Sequence, residues 1–142
     1  MGDRKRHWFW NMLVVITVLV CALAFIVHAK NWTRTKNNQF KILSGLYYKS
    51  IPFSEVTDVA MVEKIPSMER VNGFSAYTME KGVFKDSLSS NEVYVFVDDL
   101  RQSKIKLVYK DSLQLFLNYS DSTKTAHQFT LFKTIIEQKE KE

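Results

Sequence analysis

The chain contains few of the residues that mark disulfide-stabilised, metal-binding or catalytic proteins. It has one cysteine, Cys21, and three histidines among 142 residues. A single cysteine excludes an intrachain disulfide, and with it the class of small secreted domains held together by such bonds. His7, His28 and His127 are far apart and lack the spacing of metal ligands. We therefore predict no metal site and no cofactor.

Short sequence motifs of catalytic sites are also missing. There is no nucleophile elbow, P-loop, dinucleotide-binding glycine fingerprint or His-Glu-x-x-His run. Asp98-Asp99 is the nearest approach to a pair of catalytic carboxylates, but adjacent strand residues point to opposite faces. We interpret this pair as a solvated turn and predict that the protein is not an enzyme.

The excess of positive charge is concentrated at the amino terminus. Residues 1–30 contain four Lys or Arg against one acid, whereas residues 31–142 contain sixteen against fourteen. The net charge of +5 therefore owes much to one short segment. A basic patch that could bind nucleic acid is not indicated, and no nucleic-acid partner is expected.

One long hydrophobic run, Trp8–Ala29, is the strongest feature of the sequence. Its 22 residues contain no Asp, Glu, Lys or Arg. As a helix they would extend about 33 Å, which is enough to cross a hydrocarbon core of roughly 30 Å. The pattern predicts a transmembrane helix over residues 8–29, after a basic flank at 1–7. The expected partner of this segment is the lipid bilayer, and the expected location is the cell membrane, with a single pass.

The aromatic and basic residues beside this run agree with a membrane span. Trp8, Trp10 and Trp32 are placed for an aromatic belt at the headgroups. A cleavable signal peptide is the competing interpretation, with Arg4–Arg6 as its basic region and Val27–Ala29 before the cleavage site. Since Lys and Arg occur on both sides of the run, the side of the membrane that holds the rest of the chain stays open.

The remaining residues predict one β-rich domain. Residues 30–38 are polar without a hydrophobic period and are interpreted as a juxtamembrane linker, and residues 139–142 as a charged tail. Between them, residues 39–138 contain seven short apolar segments separated by turns. Predicted reversals include Ser44-Gly45 and Asn72-Gly73. Residues 92–97 are apolar on both faces and predict a central strand.

The hydrophobic period changes near residue 120 from that of a strand to that of a helix. Ser120 and Asp121 are candidate N-caps. The apolar stripe that follows consists of Ala126, Phe129, Phe132, Ile135 and Ile136. Seven antiparallel strands cannot bury their apolar faces as one flat sheet, so a barrel or two stacked sheets is expected. The helix would close its open end, with Phe129 and Phe132 contributing roughly 1.5–3 kcal/mol each.

Three segments resemble the bacterial pleckstrin-homology-like (PH-like) domains, namely Ser44–Val59, Ile65–Lys85 and Lys104–Thr125. Their matching residues include Gly45, Leu46, Tyr47, Ile51, Pro52, Asn72, Gly73 and Phe74. The chain departs from the family pattern at the Lys110–Ser112 turn, at Val71 before Asn-Gly and at Ser122, where Pro often opens the helix. The resemblance implies a seven-stranded antiparallel barrel that is capped by a helix.

The same resemblance implies a membrane-anchored, non-catalytic binding or scaffolding module. Such domains bind through loops and edge strands, and relatives are thought to self-associate. The implied partner is therefore a second copy of the chain or another membrane protein. An exported β-barrel that carries a small ligand after signal cleavage is the alternative function.

Five lysines are candidate contacts for an anionic lipid or a phosphate. Lys104, Lys106 and Lys110 follow the outward face of one predicted strand. Lys41 and Lys49 lie on the first predicted hairpin, which binds inositol phosphates in eukaryotic PH domains. The spacing does not match that signature, and a solvated strand face is the preferred interpretation.

Overall fold

The computed structural model describes residues 3–141, with side chains from His7 onward. Within that range the chain forms a long amino-terminal helix, nine strands, one short 3-10 turn (Phe53–Glu55) and a carboxy-terminal helix. The elements in chain order are α1 (Asp3–Ala29), β1 (Asn31–Lys36), β2 (Gln39–Ser44), β3 (Tyr47–Pro52), β4 (Val56–Val62), β5 (Glu69–Ala76), β6 (Met79–Lys85), β7 (Glu92–Val97), β8 (Lys104–Tyr109), β9 (Leu113–Leu117) and α2 (Ser122–Lys139).

Helix α1 contains the predicted apolar segment and begins several residues before it. The part from His7 to Ala29 has a mean hydropathy of 2.8 and is long and apolar enough to cross a membrane. Its side chains are exposed along the helix until the last turn, where His28 and Ala29 become partly buried. Helix α1 therefore contacts the rest of the chain mainly through its carboxy-terminal end.

The predicted linker is wrong, because residues 31–36 form strand β1. This strand pairs with β2 over its whole length, from Asn31 opposite Ser44 to Lys36 opposite Gln39. Asn37 and Asn38 connect the two strands with φ of 54° and 57°. Two consecutive residues with positive φ make the tight hairpin turn for which Asn is well suited. Only one residue, Lys30, thus separates the end of α1 from the first strand of the domain.

The strands form two sheets. The first has the order β1-β2-β3, and the second has the order β4-β8-β9-β7-β6-β5. The predicted count of seven strands is wrong, and the prediction of purely antiparallel pairing is also wrong, because β7 and β9 are parallel. No strand pairing in residues 3–141 joins the two sheets, so they do not form a closed barrel. The class, mainly β with a carboxy-terminal helix, is confirmed.

Two predicted turns lie elsewhere in the structure. The first hairpin turns at Gly45-Leu46, one residue later than predicted. Asn72 and Gly73 are not a turn but belong to β5, where Gly73 lies opposite Gly82 of β6. A Cβ atom on Gly73 would lie 2.3 Å from the backbone oxygen of Lys81, and Gly73 has φ of 140°. Glycine is therefore required by the close approach of two backbones.

The main core lies between the two sheets and α2. Its fully buried members include Phe40, Phe96, Leu107 and Leu115. The predicted inward residues of β8 (Ile105, Leu107 and Tyr109) are all buried.

A second, smaller core covers the other face of the large sheet. It contains Phe84, Phe116 and alternate residues of β7, against which the segment containing Ile65 and Met68 packs. Strand β7 therefore lies inside the sheet with both faces covered, as predicted.

Helix α2 closes one side of the main core. Asp121 is its N-cap, and its side chain accepts a hydrogen bond from the Thr123 backbone N–H at 2.9 Å. Phe132 is fully buried, with its ring edge-to-face against Phe40 at 4.9 Å between centroids. Phe129 packs against the core while partly exposed. The helical stripe is thus confirmed, apart from Ala126, which is exposed.

Candidate functional site

A cluster of buried polar side chains lies where α1 enters the β-domain. We call these residues the junction cluster: Asn31, Ser44, Lys81, Asp98 and Asn118. Each exposes 5% or less of its surface. Polar groups at such depth are costly unless each is paired, so their arrangement matters for the stability of this end of the domain.

Lys81 connects the end of α1 to the large sheet. Its Nζ donates a hydrogen bond to the backbone oxygen of His28 at 3.1 Å. The same Nζ lies 2.9 Å from Oδ1 of Asp98, and both side chains are buried. A cation beside the last carbonyls of a helix is favourable, because the helix dipole is negative there. Burial lowers the pKa of Lys81, while its close contact with the Asp98 carboxylate acts in the opposite direction.

Asp98 is held from two sides. Its Oδ2 accepts a hydrogen bond from the backbone N–H of Asn31 at 3.1 Å, just beyond the end of α1. Its Oδ1 accepts no aligned hydrogen bond from the described residues, so its contact with Lys81 is an ion pair. The carboxylate therefore depends on Lys81 for its charge compensation.

Asn31 and Ser44 fasten β1 and β2 to the large sheet. The Nδ2 of Asn31 donates to the backbone oxygens of Phe96 at 2.6 Å and of Asn118 at 2.9 Å. The Oδ1 of Asn31 accepts a hydrogen bond from Ser44 Oγ. Asn31, the second residue after α1, is thus bonded to both sheets.

Asn118 orders the loop that carries Asp98. Its Oδ1 accepts hydrogen bonds from the backbone N–H groups of Asp98 and Asp99, at 2.9 and 3.1 Å. Its Nδ2 donates to the backbone oxygen of Asp99 at 2.6 Å. The interpretation of Asp98-Asp99 as a solvated turn is wrong, since both residues are buried.

Asp99 has a different partner from Asp98. Its carboxylate accepts two side-chain hydrogen bonds from Arg101, at 3.0 and 2.9 Å. These bonds, with the Arg101 backbone N–H, hold the pKa of Asp99 well below its usual range. The two neighbouring carboxylates are each paired with a cation, which favours a structural over an acid-base role.

Lys104 is not part of an accessible cationic surface. The prediction that it faces solvent is wrong, because it is buried and its Nζ donates to the backbone oxygens of Glu63 and Leu100. The loops before β5 and before β8 cover the end of its strand. Burial lowers the pKa of Lys104, and the nearby carboxylates oppose that shift.

The other four predicted lysines do not share one surface. Lys41 and Lys49 lie on opposite faces of the small sheet, since Lys49 pairs with Ile42 and Lys41 with Ser50. Lys49 lies over the Tyr94 ring at 4.0 Å. Lys106 is partly buried on β8.

Lys110 is in the turn after β8, with its Nζ 3.8 Å from Glu55. A phosphate or headgroup site built from these lysines is not supported by their placement.

Sequence reasoning missed the whole junction cluster. Lys81 is on an exposed-looking segment (Met-Glu-Lys-Gly), and nothing in the local pattern indicates burial. The most useful signal was the polar pair Asp98-Asp99 directly after the most apolar strand. Polar residues at the end of a buried strand are often held there by hydrogen bonds.

Comparisons with known proteins identify no relative. No protein-family model matches the chain, and no curated protein or solved structure matches it either. Within the described residues, no group of three or more His, Cys, Asp and Glu side chains could hold a metal ion. The arrangement that is present joins a membrane-length helix firmly to a β-domain.

Proposed function

We propose that this protein is a single-pass membrane protein whose β-domain is a non-catalytic binding module of the bacterial PH-like type, and that it self-associates at the membrane. The observation that carries the proposal is an apolar stripe on the outer face of the small sheet. Trp32, Leu43 and Tyr48 are direct cross-strand neighbours. They expose 54%, 37% and 61% of their surfaces.

The position of this stripe favours a partner that is also at the membrane. Trp32 is three residues after Ala29, where α1 ends. The stripe therefore lies at the base of the domain, beside the end of the proposed span. A second copy anchored in the same bilayer is confined to the same plane. The effective concentration of one stripe near the other is therefore raised.

Strand β1 adds a second feature suited to self-association. It is an edge strand of the small sheet, pairs with β2 in regular register and is exposed over Arg34–Lys36. An edge strand offers unpaired backbone N–H and C=O groups to an added strand. Antiparallel pairing of two β1 strands would extend the small sheet from one copy to the other and place their apolar stripes side by side on one face.

The packed interior favours a binding module over the alternative of a small-ligand carrier. Phe40, Phe96 and Phe132 fill the space between the sheets and α2, each with at most 1% of its surface exposed. The contacts left for partners are on the outside. Intact mass of the membrane fraction tests the carrier directly, since signal cleavage would remove about residues 1–29.

The experiment compares the full-length protein with two variants in detergent micelles. Leu43→Lys places a charge in the middle of the stripe, and Leu88→Lys places one on a distant loop where the side chain is almost fully exposed. We expect chemical crosslinking and light scattering to show dimers or larger species for the wild type and Leu88→Lys, and mainly monomers for Leu43→Lys. Only monomers for the wild type, with no co-purifying membrane protein, would overturn the proposal.

A further inference from the structure

The β5–β6 hairpin lies beside the last turns of α1 and forms an open apolar groove with it. The groove has a volume of about 480 Å³. Its helix wall contains Cys21, Ala24, Phe25 and His28, and its hairpin wall contains Phe74, Ala76 and Met79. Ligand sites in proteins commonly measure about 300–1,000 Å³, so the groove is large enough to hold part of an apolar molecule.

The hairpin extends along α1 towards the middle of the helix. Phe74 meets the helix at its end, where its ring centroid is 6.3 Å from that of His28. Ala76 and Met79 are nearer the tip of the hairpin and pair with each other. Because Cys21 is eight residues before Ala29, the groove reaches roughly 12 Å along the apolar part of α1. One wall of the groove is thus the proposed membrane span itself.

Two highly exposed apolar side chains lie at this end of the domain. Tyr77, at the tip of the β5–β6 hairpin, exposes 98% of its surface, and Leu46, in the β2–β3 turn, exposes 82%. The β2–β3 turn is beside the helix end, since a Cβ atom on Gly45 would lie 3.4 Å from the His28 ring. Tyr is enriched at membrane interfaces, where apolar and wet regions meet.

We propose that the β5–β6 hairpin dips into the membrane interface and that its groove with α1 binds an acyl chain of a bilayer lipid. This inference rests on the proposed function, in that α1 is a membrane span. The occupant follows from the continuity of the groove with that span: lipid is the solvent that contacts Cys21 and Phe25. An apolar groove open to lipid fills with acyl chain at little cost, because lipid tails match it in polarity.

The tip of the hairpin has a backbone group already paired, as the membrane interface requires. The backbone oxygen of Thr78 accepts a hydrogen bond from the backbone N–H of Leu100 at 2.7 Å, so a carbonyl at the tip is already paired. Unpaired backbone groups are expensive at membrane depth. Lys81, on the β6 strand of the hairpin, is held inward by the carbonyl of His28 and by Asp98.

A depth measurement tests the position of the hairpin. Full-length protein with Cys21→Ser is reconstituted into phosphatidylcholine vesicles, with a single fluorescent label at Tyr77→Cys or at Leu88→Cys. Leu88 is the matched control, because it is as exposed as Tyr77 but lies beyond the opposite end of β6. We expect nitroxides on the acyl chains to quench the label at 77 several-fold more than that at 88, and a water-soluble quencher to show the reverse order.

A second measurement tests the groove. Photoactivatable phosphatidylcholine with a reactive group on its acyl chain is used with wild type and Ala76→Phe, which fills the groove. We expect crosslinks to residues 74–79 in the wild type and a several-fold loss of them in Ala76→Phe, with crosslinks to residues 8–20 unchanged as an internal control. Absence of crosslinks at 74–79 in the wild type, or equal yields in both proteins, would overturn the acyl-chain site.

The two proposals fail in different ways. Protein that leaves the vesicles in alkaline carbonate contradicts the membrane span on which the proposed function depends. Protein that stays with the vesicles while its label at 77 behaves like that at 88 contradicts the dipping hairpin alone.

Discussion

Replacement of Lys81 by methionine is the sharpest test of how α1 is joined to the domain. The change keeps the length and most of the apolar volume of the side chain while it removes the charge. Asp98 Oδ1 then loses the ammonium that lies 2.9 Å away, and the carbonyl of His28 loses its donor at 3.1 Å. A buried carboxylate and a helix terminus are left without their partner.

The expected loss of stability follows from the burial of the pair. Removal of one partner of a buried ion pair typically costs about 3–5 kcal/mol, because the other charge stays buried without compensation. The double variant Lys81→Met with Asp98→Asn removes both charges and keeps an oxygen for the N–H of Asn31. We expect it to recover much of the loss, since a buried pair replaced as a whole is often close to neutral.

Urea unfolding of the full-length protein in detergent micelles measures this effect by far-ultraviolet circular dichroism. For a domain of this size, a loss of about 3–5 kcal/mol moves the urea midpoint down by roughly 2 M. Lys110→Met is the matched control, because its Nζ is exposed and 3.8 Å from Glu55. Such surface pairs contribute about 0–1 kcal/mol, so its midpoint should stay close to that of the wild type.

The reasoning is refuted if Lys81→Met unfolds at the same urea concentration as Lys110→Met. It is also refuted if the double variant is less stable than Lys81→Met alone, since the loss would then come from packing and not from an uncompensated charge. Hydrogen exchange supplies a local measure, in which the amides of β1 should lose protection in Lys81→Met before those of β8.

Two other changes test the core and the pH dependence. Phe132→Ala should cost about 3–5 kcal/mol, because the ring is fully buried against Phe40, whereas the exposed Lys133→Ala should change the free energy of unfolding by less than about 0.5 kcal/mol. Arg101 lowers the pKa of Asp99 in the folded state below its ordinary value of 3.8. The unfolded chain therefore binds the proton more readily, so the stability from Asp99 is present above about pH 3.8 and is lost as the pH falls below it. Thermal unfolding of Asp99→Asn should show a shallower loss of stability with acid than the wild type; equal slopes would contradict this assignment.

Much of the architecture could be predicted because it depends on local periodicity. The apolar run of α1, the alternation of Ile105, Leu107 and Tyr109, and the helical stripe with Phe132 each record which face meets an apolar environment. Such a pattern depends only on residues that are close in sequence. It can therefore be recognised without knowing which element packs against it. Residues 92–97 are apolar on both faces, and this pattern predicted that β7 lies inside the sheet.

Local reasoning failed where a turn or a strand depends on backbone geometry. Asn72-Gly73 has the composition of a hairpin turn, but Gly73 serves the close approach to Gly82 of the paired strand. Asn37-Asn38 is the turn that was overlooked, and with it strand β1. Both dipeptides permit positive φ, and only the register of the strands decides which of them reverses the chain.

The sequence by itself determined that a membrane-length apolar helix precedes a β-rich domain with one amphipathic helix at its end, because hydrophobic patterns of that length have few other stable arrangements. Only the tertiary structure decided which charged residues are buried. Lys81 and Lys104 resemble any other lysine in the sequence, yet one meets Asp98 and the end of α1, and the other meets the carbonyls of two loops. In the sequence, Asp98 and His28 are 17 and 53 residues from Lys81, and Glu63 is 41 residues from Lys104. A charge is stable in the interior only when such distant groups converge on it, and that convergence is a property of the fold.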